Sequence, residues 1–150
     1  MPTERPKRIH LINSGSARFE EHRAAEAITP GMLLELDANG EVVTHITANG
    51  PSEKMFALED ALQGNTIADA YADNDLVFCI LAAPGDVIYA ILELGANVAI
   101  GAQLASAGDG TLQAISAGES VVAIALEAVD ASSSTLAETI ADRRIRVRIV

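Results

Sequence analysis

Read for the alternation of apolar and polar positions, the chain breaks into short apolar runs separated by turn residues. Residues 32–36 and 41–46 flank Asp37-Ala38-Asn39-Gly40, and Asn-Gly supplies the positive φ that a hairpin turn needs. Residues 54–59 read as a third strand. Residues 76–82, LVFCILA, are the most hydrophobic run and predict a strand buried on both faces. Pro84-Gly85-Asp86 then turns the chain into a further strand at residues 87–93. Strands follow at residues 97–100, 103–106, 111–115 and 121–128, with Gly108-Asp109-Gly110 as a second hairpin turn. Residues 143–150 alternate strictly, with Ile145, Val147 and Ile149 on one face and Arg144, Arg146 and Arg148 on the other. Thr66-x-x-Asp69 and Thr135-x-x-Glu138 are pairs that cap a first helical turn, so short helices of about two turns are expected at residues 66–72 and 134–141. Many short strands with glycine turns between them predict an all-β fold, a compact barrel or sandwich with one or two short helices.

The pattern also repeats. At a constant offset of 69, Thr66, Ala68, Ala72, Asp73 and Ile80 are matched by Thr135, Ala137, Ala141, Asp142 and Ile149. Upstream, Ile28-x-x-Gly31-x-x-Leu34 is matched by Val98-x-x-Gly101-x-x-Leu104 at an offset of 70, and Ala57-Leu58-Glu59 by Ala125-Leu126-Glu127 at 68. Drifting offsets are what loop insertions produce, and two copies are too few for a solenoid. Two duplicated halves, about residues 28–81 and 98–150, are expected to form one domain, residues 28–150, related by a pseudo-twofold around a shared core. The offset of 69 sets Val77 and Cys79 against Arg146 and Arg148. One half is then greasy where the other is basic. A loop, an arm or another subunit must cover the greasy face, and the Arg face reads as a solvated strand protecting a sheet edge.

Residues 1–27 stand apart. Residues 7–13 have the apolar content of a short strand, whereas residues 17–27 carry Phe19 as their only large apolar side chain. Either a polar helix or an extended N-terminal arm is compatible with that composition. The arm, ordered against something else, is favoured.

Composition narrows the function classes. At 150 residues, 49% apolar with 3% aromatic and no Trp, the chain builds one core from aliphatic side chains. It has no run long enough to span a membrane and no apolar stretch near its start that resembles a secretory signal. Cys79 is the single cysteine and reads as a small buried hydrophobe in a chain folded in a reducing cytoplasm. The net charge of −11 is unevenly spread: residues 1–23 hold five basic and three acidic groups, residues 143–150 hold four Arg, and everything between holds eighteen acids and only Lys54. Such a body repels nucleic acid and anionic membrane. The basic ends suit an acidic partner, or the acidic body of a neighbouring copy.

No catalytic, cofactor or metal site is expected. His10, His22 and His45 have no His or Cys at ligand spacing, and Asp69, Asp73 and Asp75 lack the turn glycine and closing glutamate of a calcium loop. The glycine-rich segments sit in hairpins rather than at a strand-to-helix turn, which a phosphate loop needs. No nucleophile elbow and no Ser-His-Asp set emerges from sequence position.

Several segments together resemble the bacteriophage capsid cement, or head decoration, proteins. They are Gly64-Asn65-Thr66-Ile67-Ala68-Asp69-Ala70-Tyr71, Pro84-Gly85-Asp86, Gly101-x-x-Leu104-x-Ser106-x-Gly108-Asp109-Gly110-Thr111-Leu112, Ala125-Leu126-Glu127-Ala128 and the terminal RIRVRIV. The resemblance covers most of residues 28–150 and leaves residues 1–27 outside. It implies a structural virion protein, made in the bacterial host cytoplasm, that sits on the outer surface of the expanded head. It also implies a homotrimer that clamps major capsid protein subunits; that neither nucleic acid nor a membrane is a partner is expected from the charge of the body. In that setting the candidate capsid or trimer contacts are Arg5, Lys7, Arg8, His10, Arg18, Phe19 and Arg23 of the arm, the greasy pair Val77 and Cys79, and Arg144, Arg146 and Arg148. Two alternatives stay open: a sugar- or host-binding β-module of a virion or cell surface, which would show glycan binding through Tyr71 or Tyr89, and an enzyme on a barrel scaffold, which would show a pocket where acids and a histidine converge.

Overall fold

The apolar runs pair into two main antiparallel sheets. A computed structural model describes residues 5–115, 119–132 and 139–150. Among the described residues the strands are β1 (His10–Ile12), β2 (Arg18–Arg23), β3 (Leu33–Leu36), β4 (Val42–Thr44), β5 (Met55–Ala57), β6 (Leu76–Leu81) and β7 (Val87–Ile91). They continue with β8 (Asn97–Val98), β9 (Gln103–Ser106), β10 (Leu112–Ala114), β11 (Ala123–Ala125), β12 (Val129–Asp130) and β13 (Arg144–Ile149). A five-stranded sheet runs β2-β6-β5-β3-β4, a six-stranded sheet runs β1-β7-β13-β11-β9-β10, and β8 pairs with β12 in a small third sheet. Both large sheets keep open edges. The all-β fold is therefore a sandwich and not a closed barrel.

The predicted helix at residues 66–72 is a turn. Thr66 and Asp69 do pair as a cap, the Thr66 N–H and Oγ1 donating to Asp69 Oδ2 at 2.7 and 3.1 Å. The chain is then drawn extended at Tyr71, which bridges Ile28, so no second turn forms. Among the described residues helical geometry is confined to two 3₁₀ turns, Ala61–Gln63 and Ile140–Arg143, the latter capped by Thr139. The rest of the second predicted helix, with Thr135 and Glu138, lies outside the described residues.

The backbone lays down one ladder twice. Leu34 pairs with Thr44 as Leu104 pairs with Ala114, and Met55 with Leu34 as Ala123 with Leu104. The parallel bridge Ala24–Val42 recurs as Leu92–Leu112. The bonds Gly31 N–H to Ala57 O and Leu58 N–H to Phe78 O recur as Gly101 N–H to Ala125 O and Leu126 N–H to Arg146 O. In this ladder β13 follows β6 at an offset of 68, since Met55 pairs with Leu81 and Ala123 with Ile149. Val77 and Cys79 thus occupy the places of Ile145 and Val147, and not those of Arg146 and Arg148. The side-chain identities at 69 misplace the strand by one residue, which exchanges its faces.

That exchange decides how the halves pack. Ala24, Ile28, Leu34, Val42, Met55, Ala57, Val77 and Cys79 form an outer cluster with Tyr71. Their ladder equivalents, including Val98, Leu104, Leu112, Ala123, Ala125, Ile145 and Val147, lie in the central core. The other face of the five-stranded sheet enters that same core through Leu33, Phe56 and Ile80. Unlike faces meet. The sheets stack front to back, where a pseudo-twofold would have brought like faces together. The middle of the five-stranded sheet accordingly has apolar cover on both sides, Val77 and Cys79 on one and Ile80 on the other, as the apolar run of residues 76–82 predicted, whereas Leu76 and the edge strand β2 are exposed.

Residues 5–27 are not a free arm. β1 adds to β7, and β2 pairs along the whole of β6, from Arg18 opposite Leu81 to Arg23 opposite Leu76. Residues 24–28 then cross the outer cluster, with Ala24 and Ile28 fully buried. The cover over the greasy face of β6 is the chain itself.

Candidate interaction surface

β13 lies between β7 and β11, so its Arg face cannot protect a sheet edge. Register sets Arg144, Arg146 and Arg148 opposite Ile91, Tyr89 and Val87, all on the outer face of the six-stranded sheet. The three arginines have different fates. Arg148 is exposed. Arg146 is partly buried, its guanidinium 3.5 Å from Glu127 Oε2 while Glu127 Oε1 accepts its backbone N–H at 2.9 Å. Arg144 is only 6% exposed. It donates to Pro30 O at 2.9 Å and Ile67 O at 2.8 Å, and its guanidinium carbon lies 5.8 Å from the centre of the Tyr89 ring. Burial pulls the pKa of this guanidinium down, against the pull of Tyr89 and Glu59. Gly31, at φ +95°, makes the approach possible: a Cβ there would stand 2.6 Å from Arg144 Nη1 and 2.8 Å from Tyr89 O.

Over Arg144 sit two adjoining cavities of about 220 and 210 Å³, both walled by Arg5, Pro6, Tyr89, Ala141 and Arg144. One is completed by Glu127, Val129, Asp142 and Arg146, the other by Thr29, Ile67, Ala68 and Ile140. Arg5 closes the rim through a 2.7 Å ion pair with Asp142, whose carboxyl is held below its usual pKa by that bond. Arg8 and Lys7 continue the basic wall beside Arg146 and Leu11. The sequence brought Arg5, Lys7, Arg8, Arg144 and Arg146 forward separately; the fold gathers them along one groove.

The remaining candidates are elsewhere. Arg18 and Arg23 lie on the exposed edge strand β2, Arg23 donating to Asn74 O at 3.1 Å. Phe19 is 57% exposed on that strand and tilts against His10, the ring centres 5.9 Å apart. His10 itself is held 3.3 Å from Asp86. Val77 and Cys79 are fully buried under residues 24–28 and Tyr71, which removes both from any capsid or trimer contact surface. Tyr71 and Tyr89 are buried as well, so neither offers a flat platform for a sugar.

A Ser-His-acid set that sequence position did not reveal does form. His45 Nδ1 is 2.7 Å from Ser106 Oγ, and His45 Nε2 lies 3.0 Å from Pro51 O and 3.5 Å from Glu35. The two residues are 61 apart in the chain, and only the packing of the first hairpin on β9 joins them. Ser106 is fully buried and also accepts from Gly108 N–H at 3.2 Å, so its hydroxyl ties the two halves together. Among the described residues no three His, Cys, Asp or Glu side chains converge to hold a metal.

No family model matches this sequence, and no curated protein does. The fold is similar to that of the head fiber gp8.5 N base of bacteriophage phi29, known from a crystal structure. The TM-score is 0.58 at 14% identity, covering 89% of this chain and 94% of that one. At that identity the likeness is one of fold.

Proposed function

We propose that this chain is a structural protein of a phage virion, a decoration or cement protein that binds the outside of the expanded head and stabilises contacts between major capsid subunits. The observation that carries the reading is the fold shared with the phi29 head-fiber base over nearly the whole of both chains. The cement-type segments in residues 64–71, 84–86 and 101–112 support it from the sequence side. So does an architecture in which the titratable groups found together, Ser106 with His45 and Asp86 with His10, are engaged in holding the fold. A basic groove on an otherwise acidic body suits a protein partner. Assembly as a homotrimer, a place on the outer capsid surface and the absence of catalysis belong to this proposal. The test is co-sedimentation with expanded heads of the encoding phage, stripped of this component. Saturable binding near one trimer per local threefold site is expected. No binding at low salt, where charge attraction is strongest, overturns it.

A further inference from the structure

We propose that the paired cavities over Arg144 are a docking site for an acidic segment of a protein partner. A Glu or Asp carboxylate would sit beside Arg144, and a neighbouring aliphatic side chain would lie against Ile67 and Ile140. A guanidinium buried to this degree normally has a carboxylate against it, because an unpaired buried charge is costly. Among the described residues no carboxylate is hydrogen-bonded to Arg144: its acceptors are the neutral carbonyls of Pro30 and Ile67. The two carboxylates that line the cleft are already engaged, Asp142 by Arg5 and Glu127 by Arg146, and Glu59, whose charge reaches Arg144, accepts the Ile9 N–H at 3.1 Å. Among the described residues the cation therefore lines a cavity with no carboxylate bonded to it. Its neutral partners fix the fork in place, which is the preorganised state that bidentate carboxylate recognition uses.

The second cavity identifies the ligand as more than a free anion. Its added wall is Thr29, Ile67, Ala68 and Ile140, which offers an apolar seat and no further charge. Two side chains of a peptide, one acidic and one aliphatic, fit such a pair of compartments. Charge distribution agrees. Arg5, Lys7, Arg8, Arg144 and Arg146 are five of the ten basic residues of a chain with net charge −11, and all line this one groove.

The test is an NMR titration of the full chain with an acetylated, amidated Ala-Glu-Leu-Ala peptide, beside Ala-Gln-Leu-Ala and inorganic phosphate. The Glu peptide is expected to shift the Arg144 side-chain resonance and the Ile67 and Ile140 methyls saturably. The Gln peptide and the Arg144→Met variant should each bind at least about tenfold more weakly, the loss expected for a charge-assisted contact. If Arg144→Met does not fold, the surface pair Arg5→Ala and Arg146→Ala replaces it, with the same direction expected. Equal binding of the Glu and Gln peptides, absence of saturation, or phosphate binding as tightly as the Glu peptide overturns the proposal. The titration reads this cleft alone, so its failure leaves the virion reading to its own experiment.

Discussion

Asp86 is fully buried and ties three separate strand ends together. Its Oδ1 accepts the Ser14 N–H at 2.6 Å and lies 3.3 Å from His10, while Oδ2 accepts the Ala83 N–H at 2.7 Å. Burial by itself would raise the carboxyl's pKa, but the bonds from Ser14, Ala83 and His10 outweigh it and leave the group below its ordinary value of 3.8. A carboxyl whose folded pKa is depressed adds stability that is complete above the unfolded value. That stability is lost as pH falls through the folded one. Asp86→Asn should therefore cost about 1–3 kcal/mol at neutral pH. Below about pH 4 the gap between variant and native chain should narrow. Denaturant midpoints measured across the acid range check this, and a gap that stays constant would remove Asp86 from the account. At this scale the sequence was partly readable. Pro84-Gly85-Asp86 announces a turn, but that its aspartate reaches Ser14, 72 residues away, depends on β1 joining β7. Arg144 is the same case: strict alternation gave it a face, whereas its burial depends on carbonyls 114 and 77 residues distant.

Elements whose signal is local were legible. The β3–β4 and β9–β10 hairpins carry their turn chemistry in Asn39-Gly40 and Gly108-Asp109-Gly110, and β6 and β7 carry it in their apolar runs. β2 was not legible, because Arg18–Arg23 has one large apolar side chain and draws its stability from backbone pairing with β6. That pairing changes what the N-terminal segment does. A chain lacking residues 1–27 loses β1, β2 and the buried side chains of Ile9 and Ala24, and it uncovers Val77 and Cys79. Truncating a buried Ile alone costs about 2–5 kcal/mol, against the roughly 5–15 kcal/mol that holds a domain together. The shortened chain is expected to be unfolded, where an accessory arm would leave the fold intact. Cys79 reports the outcome. Burial pushes its thiol up to about 12, so in the full chain it should resist alkylation until the protein opens. In the shortened chain it should label at once. A protected thiol there, with a native far-ultraviolet spectrum, would show that residues 1–27 are dispensable.

For the molecule as a whole, front-to-back stacking makes the central core common property of both halves. Leu33, Phe56 and Ile80 come from the first half, and Leu104, Leu112, Ile145, Val147 and Ile149 from the second. The first half has a further cluster of its own under residues 24–28, whereas the second half buries its apolar face only against the first. The dependence is thus unequal. A second half made alone would expose its whole core face, and a first half made alone would expose Leu33, Phe56 and Ile80 with Leu58 and Ile67 beside them. Intact, the chain should unfold in one transition, since opening either sheet uncovers the shared layer. Cys79 labelling follows the outer cluster of the five-stranded sheet, and the Tyr89 ring resonances follow the six-stranded one, so the two should lose native character at one denaturant concentration. Phe56→Ala, which hollows the shared layer, should destabilise by about 3–5 kcal/mol and lower both midpoints together. If the Tyr89 signal melts first while Cys79 stays protected, the second half is a separable layer resting on an autonomous first half. The duplicated ladder would then be two folding units in series.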